Sequence, residues 1–333
     1  MEFTMGGRLE VRITPADVGK RVSVRRAVDT PGENAKFTDT IGVLTSWDEG
    51  VLSVTTRSGE SVRIAESSLV AGKVVPPAPA RRRGPAASFG ELAPVTARAW
   101  QPVESELLGG WRLRAAGGFT RRANSVLPLG DPGLPLGEAL GRVRHWYAER
   151  GLPARVQAAT GAEGTQERLC ADLEAHGWRR EVTAEVRVAP LAPVGDLAAD
   201  VSAVRTARRP DAAWLARYQR AGTPGPHVLE VLGSGPSVWF ASVPGDGPSG
   251  APAAIGRCVV DGRWAGFMAV EVAPEHRRRG LATAVMAALA RTALEEGASA
   301  AWLQVESDND GARALYDRMG FAPHHRYHHF RSA

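Results

Sequence analysis

Apolar and polar positions alternate through the first quarter of the chain: at Val22 and Val24, around Ile41, Val43 and Leu44, over Val51–Thr56 and again over Ser61–Ala65. Asp48-Glu49-Gly50 and Arg57-Ser58-Gly59 punctuate the run. A period of two between turn residues predicts short strands, and five of them within residues 1–75 predict a small all-β barrel. Over residues 73–87 the pattern dissolves into Pro, Ala and Arg, so residues 76–89 read as an extended, solvated linker.

Residues 90–195 carry a mixed pattern. Trp111–Ala115 is strand-like, Gly117-Gly118 turns it, and Leu140, Val143, Trp146 and Tyr147 form the apolar stripe of a helix ending at Gly151. Residues 154–158 read as a strand, and Leu169 and Leu173 mark a helix stopped by Gly177. Residues 196–333 begin with two short amphipathic helices, over 211–218 and 226–232. Strands follow at Ser237–Val243 and 253–260, and Asp261-Gly262 predicts a hairpin into a buried strand of Phe267, Met268, Val270 and Val272. Pro274 ends that strand, because it has no N–H for a ladder. A helix from about Leu281 runs on a 3–4 spacing to Gly297, Ala300–Glu306 is a second buried strand, and Ser307-Asp308-Asn309 caps a last helix stopped by Gly320. The middle segment repeats this ending: residues 137–178 and 280–321 have the same length, and Gly177-Trp178 overlays Gly320-Phe321.

The chemistry concentrates at Arg277-Arg278-Arg279-Gly280-Leu281-Ala282, between a strand and a helix start. Unpaired backbone N–H groups, a helix dipole, three guanidiniums and a glycine that lets backbone come close make a pocket for phosphate. It is neither a P-loop, which closes on Gly-Lys-Ser/Thr, nor a dinucleotide turn with three spaced glycines. Arg277-x-x-Gly280-x-Ala282 resembles the pyrophosphate loop of the GNAT superfamily of acyl-CoA-dependent N-acetyltransferases. Asn309 and Tyr316 continue the resemblance, seven residues apart on the next helix.

The resemblance covers about residues 201–333 and implies an α+β fold with a GNAT domain at the C-terminus. It implies acetyl-CoA as co-substrate, held by Arg277, Arg278, Arg279, Gly280, Leu281 and Ala282 at the pyrophosphate. Val270 and Val272 on a splayed strand would bond the pantetheine, and Asn309 would touch coenzyme A. Tyr316 stands where the family places the proton donor to the leaving thiolate, and its phenol suits that role. Several relatives carry a glutamate twelve residues before the tyrosine; here it is Gln304, which cannot take a proton. Glu271 is the preferred base, with Glu306 also open. In the middle segment Leu134-Pro135-Leu136 replaces the arginines and Leu173 the tyrosine, so this second, degenerate GNAT-like unit has a structural or substrate-facing role. Ala123-Asn124-Ser125 is a polar knot that either faces a ligand or serves its turn. The barrel resembles Src-homology-3-like or Tudor-like modules and reads as a docking domain.

Composition narrows the rest. A chain of 333 residues holds two or three domains. A net charge of +5 is modest for that size, so nucleic acid is not the expected partner. The two cysteines lie far apart, which fits a reducing compartment, and no leader or membrane-spanning run is present, so the expected location is cytoplasmic. His324-His325-Arg326-Tyr327-His328-His329 invites a metal, but without a third ligand type no metal is expected. The expected function is acetyl transfer to an amine of a small molecule or protein, by a monomer or homodimer. A non-catalytic acyl-CoA sensor or adaptor and a nucleic-acid-associated protein are the competing readings.

Overall fold

Val22, Val24, Leu44, Leu52, Val54 and Ile64, inward positions of the period-two pattern, are buried in one core with Ile13. Complete burial of such a side chain contributes about 1.5–3 kcal/mol. All but Ile13 lie on four strands of a five-stranded antiparallel sheet in the order β4-β3-β2-β1-β5: β1 (Arg21–Val28), β2 (Lys36–Asp48), β3 (Val51–Thr56), β4 (Ser61–Ala65) and β5 (Leu69–Val74). Register shifts between Arg25 and Arg26 and between Leu44 and Ser46 mark bulges, which add the coiling a small barrel needs. The computed structural model describes residues 10–28, 36–76, 84–218, 225–245 and 250–333. Most of the Pro/Arg linker, residues 77–83, lies outside them.

The chain divides into two compact units, Met1–Pro79 with Ala158–Trp178, and Ala80–Gln157 with Arg179–Ala333. The second unit begins with α1 (Phe89–Arg98), capped by Ser88 Oγ accepting the Glu91 N–H at 3.1 Å. Three strands follow as one small sheet, β6 (Glu104–Leu108), β7 (Trp111–Ala115) and β8 (Leu127–Pro128). In chain order come α2 (Leu136–Ala148), β9 (Arg155–Thr160), α3 (Glu167–Ala175), β10 (Arg179–Pro190) and α4 (Leu191–Gly195), of which α3 and the end of β9 belong to the first unit. The last part comprises β11 (Arg205–Ala207), α5 (Ala212–Arg217), α6 (Pro226–Gly233), β12 (Ser237–Val243), β13 (Ala254–Asp261) and β14 (Trp264–Val272). It ends with α7 (Leu281–Glu295), β15 (Ala300–Glu306), α8 (Asp310–Arg318) and β16 (Ala322–Arg331).

The repeat expected from the sequence is visible in these elements. Helix–strand–helix–strand recurs as α2-β9-α3-β10 and α7-β15-α8-β16, and α3 and α8 are each nine residues long. The large sheet has the order β11-β12-β13-β14-β15-β10-β16-β9. The two halves therefore exchange their last strands. β10 pairs antiparallel with β15 on one side, Val186 opposite Gln304, and with β16 on the other, Val186 opposite His325. β16 in turn lies between β10 and β9. Val285, Met286, Leu289, Ala290 and Ala293 on the inner face of α7 join Phe267, Ala301, Leu303 and the α4 residues Leu191 and Val194 in one core cluster. No helix among the described residues is long and apolar enough to cross a membrane.

Candidate active site

β14 and β15 run side by side in parallel from Trp264 opposite Ala300 to Phe267 opposite Leu303, and there their pairing stops. Both strands continue. β14 stays paired with β13 through Val272 opposite Ala254, and β15 with β10 through Glu306 opposite Ala184. Between Ile255 and Arg257 the β13 ladder skips one residue, so β14 carries a bulge at the point of separation, and Ala269 there has φ of 52°. A bulge bends its strand and releases backbone groups from the ladder, which opens the sheet into a V.

A cavity of about 110 Å³ occupies this region, lined by Val270 and Glu271 from β14, Gln304 and Glu306 from β15, and Asn309 and Tyr316 of the following turn and helix. Four expected site residues, Val270, Glu271, Asn309 and Tyr316, thus converge on one space. Val272 and residues 277–282 are not in its lining. Asn309 is the N-cap of α8, and its Oδ1 accepts the Ala312 N–H at 3.0 Å, so its carbonyl is committed to the helix and its NH₂ is the group left for a ligand. Tyr316 is half-buried, its ring edge-on to Phe321 at 6.1 Å between centroids. The Gln304 Oε1 is buried without a partner among the described residues.

The start of α7 has the expected features of an anion site. Gly280 is its N-cap with φ of 77°, a left-handed conformation suited to glycine, and no side chain caps the helix there. A Cβ at Gly280 would meet nothing within 4 Å, so the space over the helix start is open. Arg277, Arg278 and Arg279 are exposed, and among the described residues none has a carboxylate partner; Arg279 contacts His276 Nδ1 at 2.8 Å. Open N–H groups, dipole and uncompensated guanidiniums fit a diphosphate.

A second cavity, of about 610 Å³, shares Arg122, Tyr218 and Glu306 with the first. Arg121, Arg155, Tyr327 and His329 also line it. The sequence signal behind part of it was the polar knot after Gly117-Gly118. Asn124 itself is buried and faces its own loop: its Oδ1 accepts the Ala116 and Gly118 N–H groups at 2.8 and 2.9 Å, and its Nδ2 donates to Phe119 and Thr120 carbonyls. That network shapes the loop, which presents Arg121 and Arg122. Trp100, Arg122 and Tyr218, from three separate segments, were not expected at the site, because nothing local marks them. Cys258 is no nucleophile: burial pushes its thiol up to about 12.

Residues 88–330 match the family model described as "Probable histone acetyltransferase Rv0428c C-terminal", and residues 16–73 match "Rv0428c N-terminal Sm-like domain". The chain is 29% identical over 322 residues to "Probable histone acetyltransferase Rv0428c" of Mycobacterium tuberculosis (strain ATCC 25618 / H37Rv), covering 92% of this chain and 93% of that protein. It is 26% identical over 244 residues to "Uncharacterized N-acetyltransferase YobR" of Bacillus subtilis (strain 168), covering 71% of this chain and 95% of that one. A GCN5-related N-acetyltransferase structure from Kribbella flavida shares the fold with a TM-score of 0.55 at 18% identity, over 74% of this chain and 96% of that chain. The Sm-like match and the five-stranded antiparallel sheet agree with the small barrel read from the sequence. The chain belongs to the Rv0428c family of acetyltransferases, is an N-acetyltransferase, and has the fold of a GCN5-related N-acetyltransferase.

Proposed function

We propose that the protein transfers an acetyl group from acetyl-CoA to an amine at the V between β14 and β15, and that the larger cavity admits the amine. One observation carries this reading: both cavities share Glu306, while Tyr316 lines the smaller one. The co-substrate supplies a thioester carbonyl; the amine nitrogen bonds to its carbon and the C–S bond breaks. Arg277, Arg278, Arg279 and the backbone N–H groups of Leu281 and Ala282 hold the pyrophosphate, with Gly280 leaving room for it. Backbone groups of Val270 and Val272 and the Asn309 amide hold the pantetheine arm. Glu306 takes the proton that leaves the amine, directly or through water, because it faces both spaces. Glu271 lines the donor cavity alone and serves a water-relayed route from that side. Tyr316 gives its phenolic proton to the thiolate. The Gln304 Oε1 orients an N–H of the bound substrates without changing charge.

Release of free thiol from acetyl-CoA across a panel of amines, amino acids and peptides tests the reading. Amine-dependent thiol release with a matching acetylated product is expected. Binding of coenzyme A with no transfer to any acceptor class would replace this reading with an acyl-CoA sensor.

A further inference from the structure

The larger cavity has a chemical character of its own. At about 610 Å³ it matches a small molecule rather than an extended surface. Its lining holds three arginines, Arg121, Arg122 and Arg155, against one carboxylate, Glu306. Just outside, Glu181 accepts from Arg155 Nε at 2.7 Å, but it also serves Arg331 at 3.5 Å and Arg121 at 3.8 Å. One carboxylate is shared among three guanidiniums. Arg122 is bonded at Nε to the Tyr327 hydroxyl at 3.0 Å, and its two Nη groups have no protein acceptor among the described residues. Arg114 adds a further buried positive charge: it bonds the Ser125 carbonyl and hydroxyl and Gln157, with no carboxylate among its described partners.

His329 is a separate observation. Its side chain is buried, it lines this cavity, and neither ring nitrogen has a hydrogen-bond partner among the described residues. Burial, followed by the charges of Arg122 and Arg114, pushes its pKa well down, so the ring is neutral with one N–H to donate. A buried ring with no partner leaves a donor and an acceptor to be satisfied by whatever enters.

We propose that the acceptor is a small amine that also carries an oxyanion, a carboxylate or a phosphate, held by Arg121, Arg122 and His329 while its amine faces Glu306. The assignment rests on the acetyltransferase reading above and names its substrate class. Guanidiniums bind such groups through two parallel N–H donors, whereas a lysine-rich peptide would bring positive charge to three arginines.

The test uses the full chain and matched pairs: glutamate against glutamate dimethyl ester, and O-phosphoethanolamine against ethanolamine. With acetyl-CoA, the anionic member of at least one pair should show a kcat/KM about 10–100-fold higher, the effect of a charge-assisted hydrogen bond left unmade. Which pair discriminates tells carboxylate from phosphate. Arg122→Gln should collapse the preference to a few-fold. Arg121→Gln, on the exposed rim, should reduce it without endangering the fold. A second arm needs no turnover: at low salt the anionic member should raise the melting temperature of the wild type and lose that effect in both variants. Equal turnover of the members of both pairs, or preference for a lysine-rich peptide, overturns the proposal. If no amine is acetylated, the transferase reading fails by itself, and the melting arm decides: stabilisation by anions supports the site, and its absence removes it.

Discussion

Arg122 Nε donates to the Tyr327 hydroxyl at 3.0 Å, which ties the loop after β7 to β16 across 205 residues of chain. Tyr327 is buried and the pair lines the larger cavity, so this bond sets the angle at which the guanidinium enters it. Tyr327→Phe should cost about 1 kcal/mol of stability in urea unfolding. It should also raise the acceptor KM several-fold while the acetyl-CoA affinity is unchanged. An unaltered KM would mean that Arg122 is oriented by Trp100, over whose ring it lies at 5.2 Å.

Gly280→Asp should weaken acetyl-CoA at least about 10-fold in calorimetric titration, by placing negative charge against the pyrophosphate at the helix start. Backbone strain contributes separately, since φ of 77° costs a side-chain-bearing residue about 1–2 kcal/mol. Gly280→Ala isolates that strain. Unchanged affinity in a folded Gly280→Asp protein would remove the α7 start as the binding site.

Tyr316→Phe should lower kcat and kcat/KM together by about 10²–10⁴ with little effect on acetyl-CoA binding, because a group that protonates the leaving thiolate acts in the transition state. The loss should shrink with a thioester of less basic thiol. Wild-type turnover in the variant would leave Tyr316 as a packing partner of Phe321.

Stability should depend on pH through the histidines of β16. Burial pushes His325 and His328 down to about 3, and His329 well below its ordinary value of 6.5. All three are neutral in the folded chain, whereas the unfolded chain takes up protons below about 6.5. Stability is therefore level above pH 7 and falls as pH drops through 6.5 towards 3. The slope is about 1.4 kcal/mol per pH unit for each histidine. Urea midpoints at pH 7.5, 6.5 and 5.5 measure it, and equal values at 7.5 and 5.5 would contradict burial of the neutral rings.

A fragment beginning after Gly195 should be poorly soluble. It lacks β9 and β10, so β15 loses one neighbour and β16 loses both, which leaves backbone groups unpaired along these strands. A well-behaved fragment that binds acetyl-CoA would show that β16 can pair with β15 directly.

Local signals predicted local structure well. Asn309 and Gly320 bracket α8, and Asp261-Gly262 turns β13 into β14, as capping and turn chemistry require. The V between β14 and β15 was legible only through family resemblance, because a bulge at Ala269 leaves no mark in an apolar run. Arg122, Tyr218 and Trp100 were illegible as site residues, since their meeting depends on long-range packing of α1, α5 and the loop after β7. The strand exchange was equally hidden: the alternation of β10 and β16 reads the same whichever neighbour each strand takes.

The exchange also orders events during synthesis. β9 and β10 are made well before β16, yet β16 is the strand that lies between them. Until the ribosome has produced β16, the middle half of the sheet has a gap flanked by two exposed strand edges, and an edge of that kind recruits other chains. Neither half can complete its sheet alone. The two halves therefore mature in one late step, and a nascent chain is most vulnerable to aggregation just before that step.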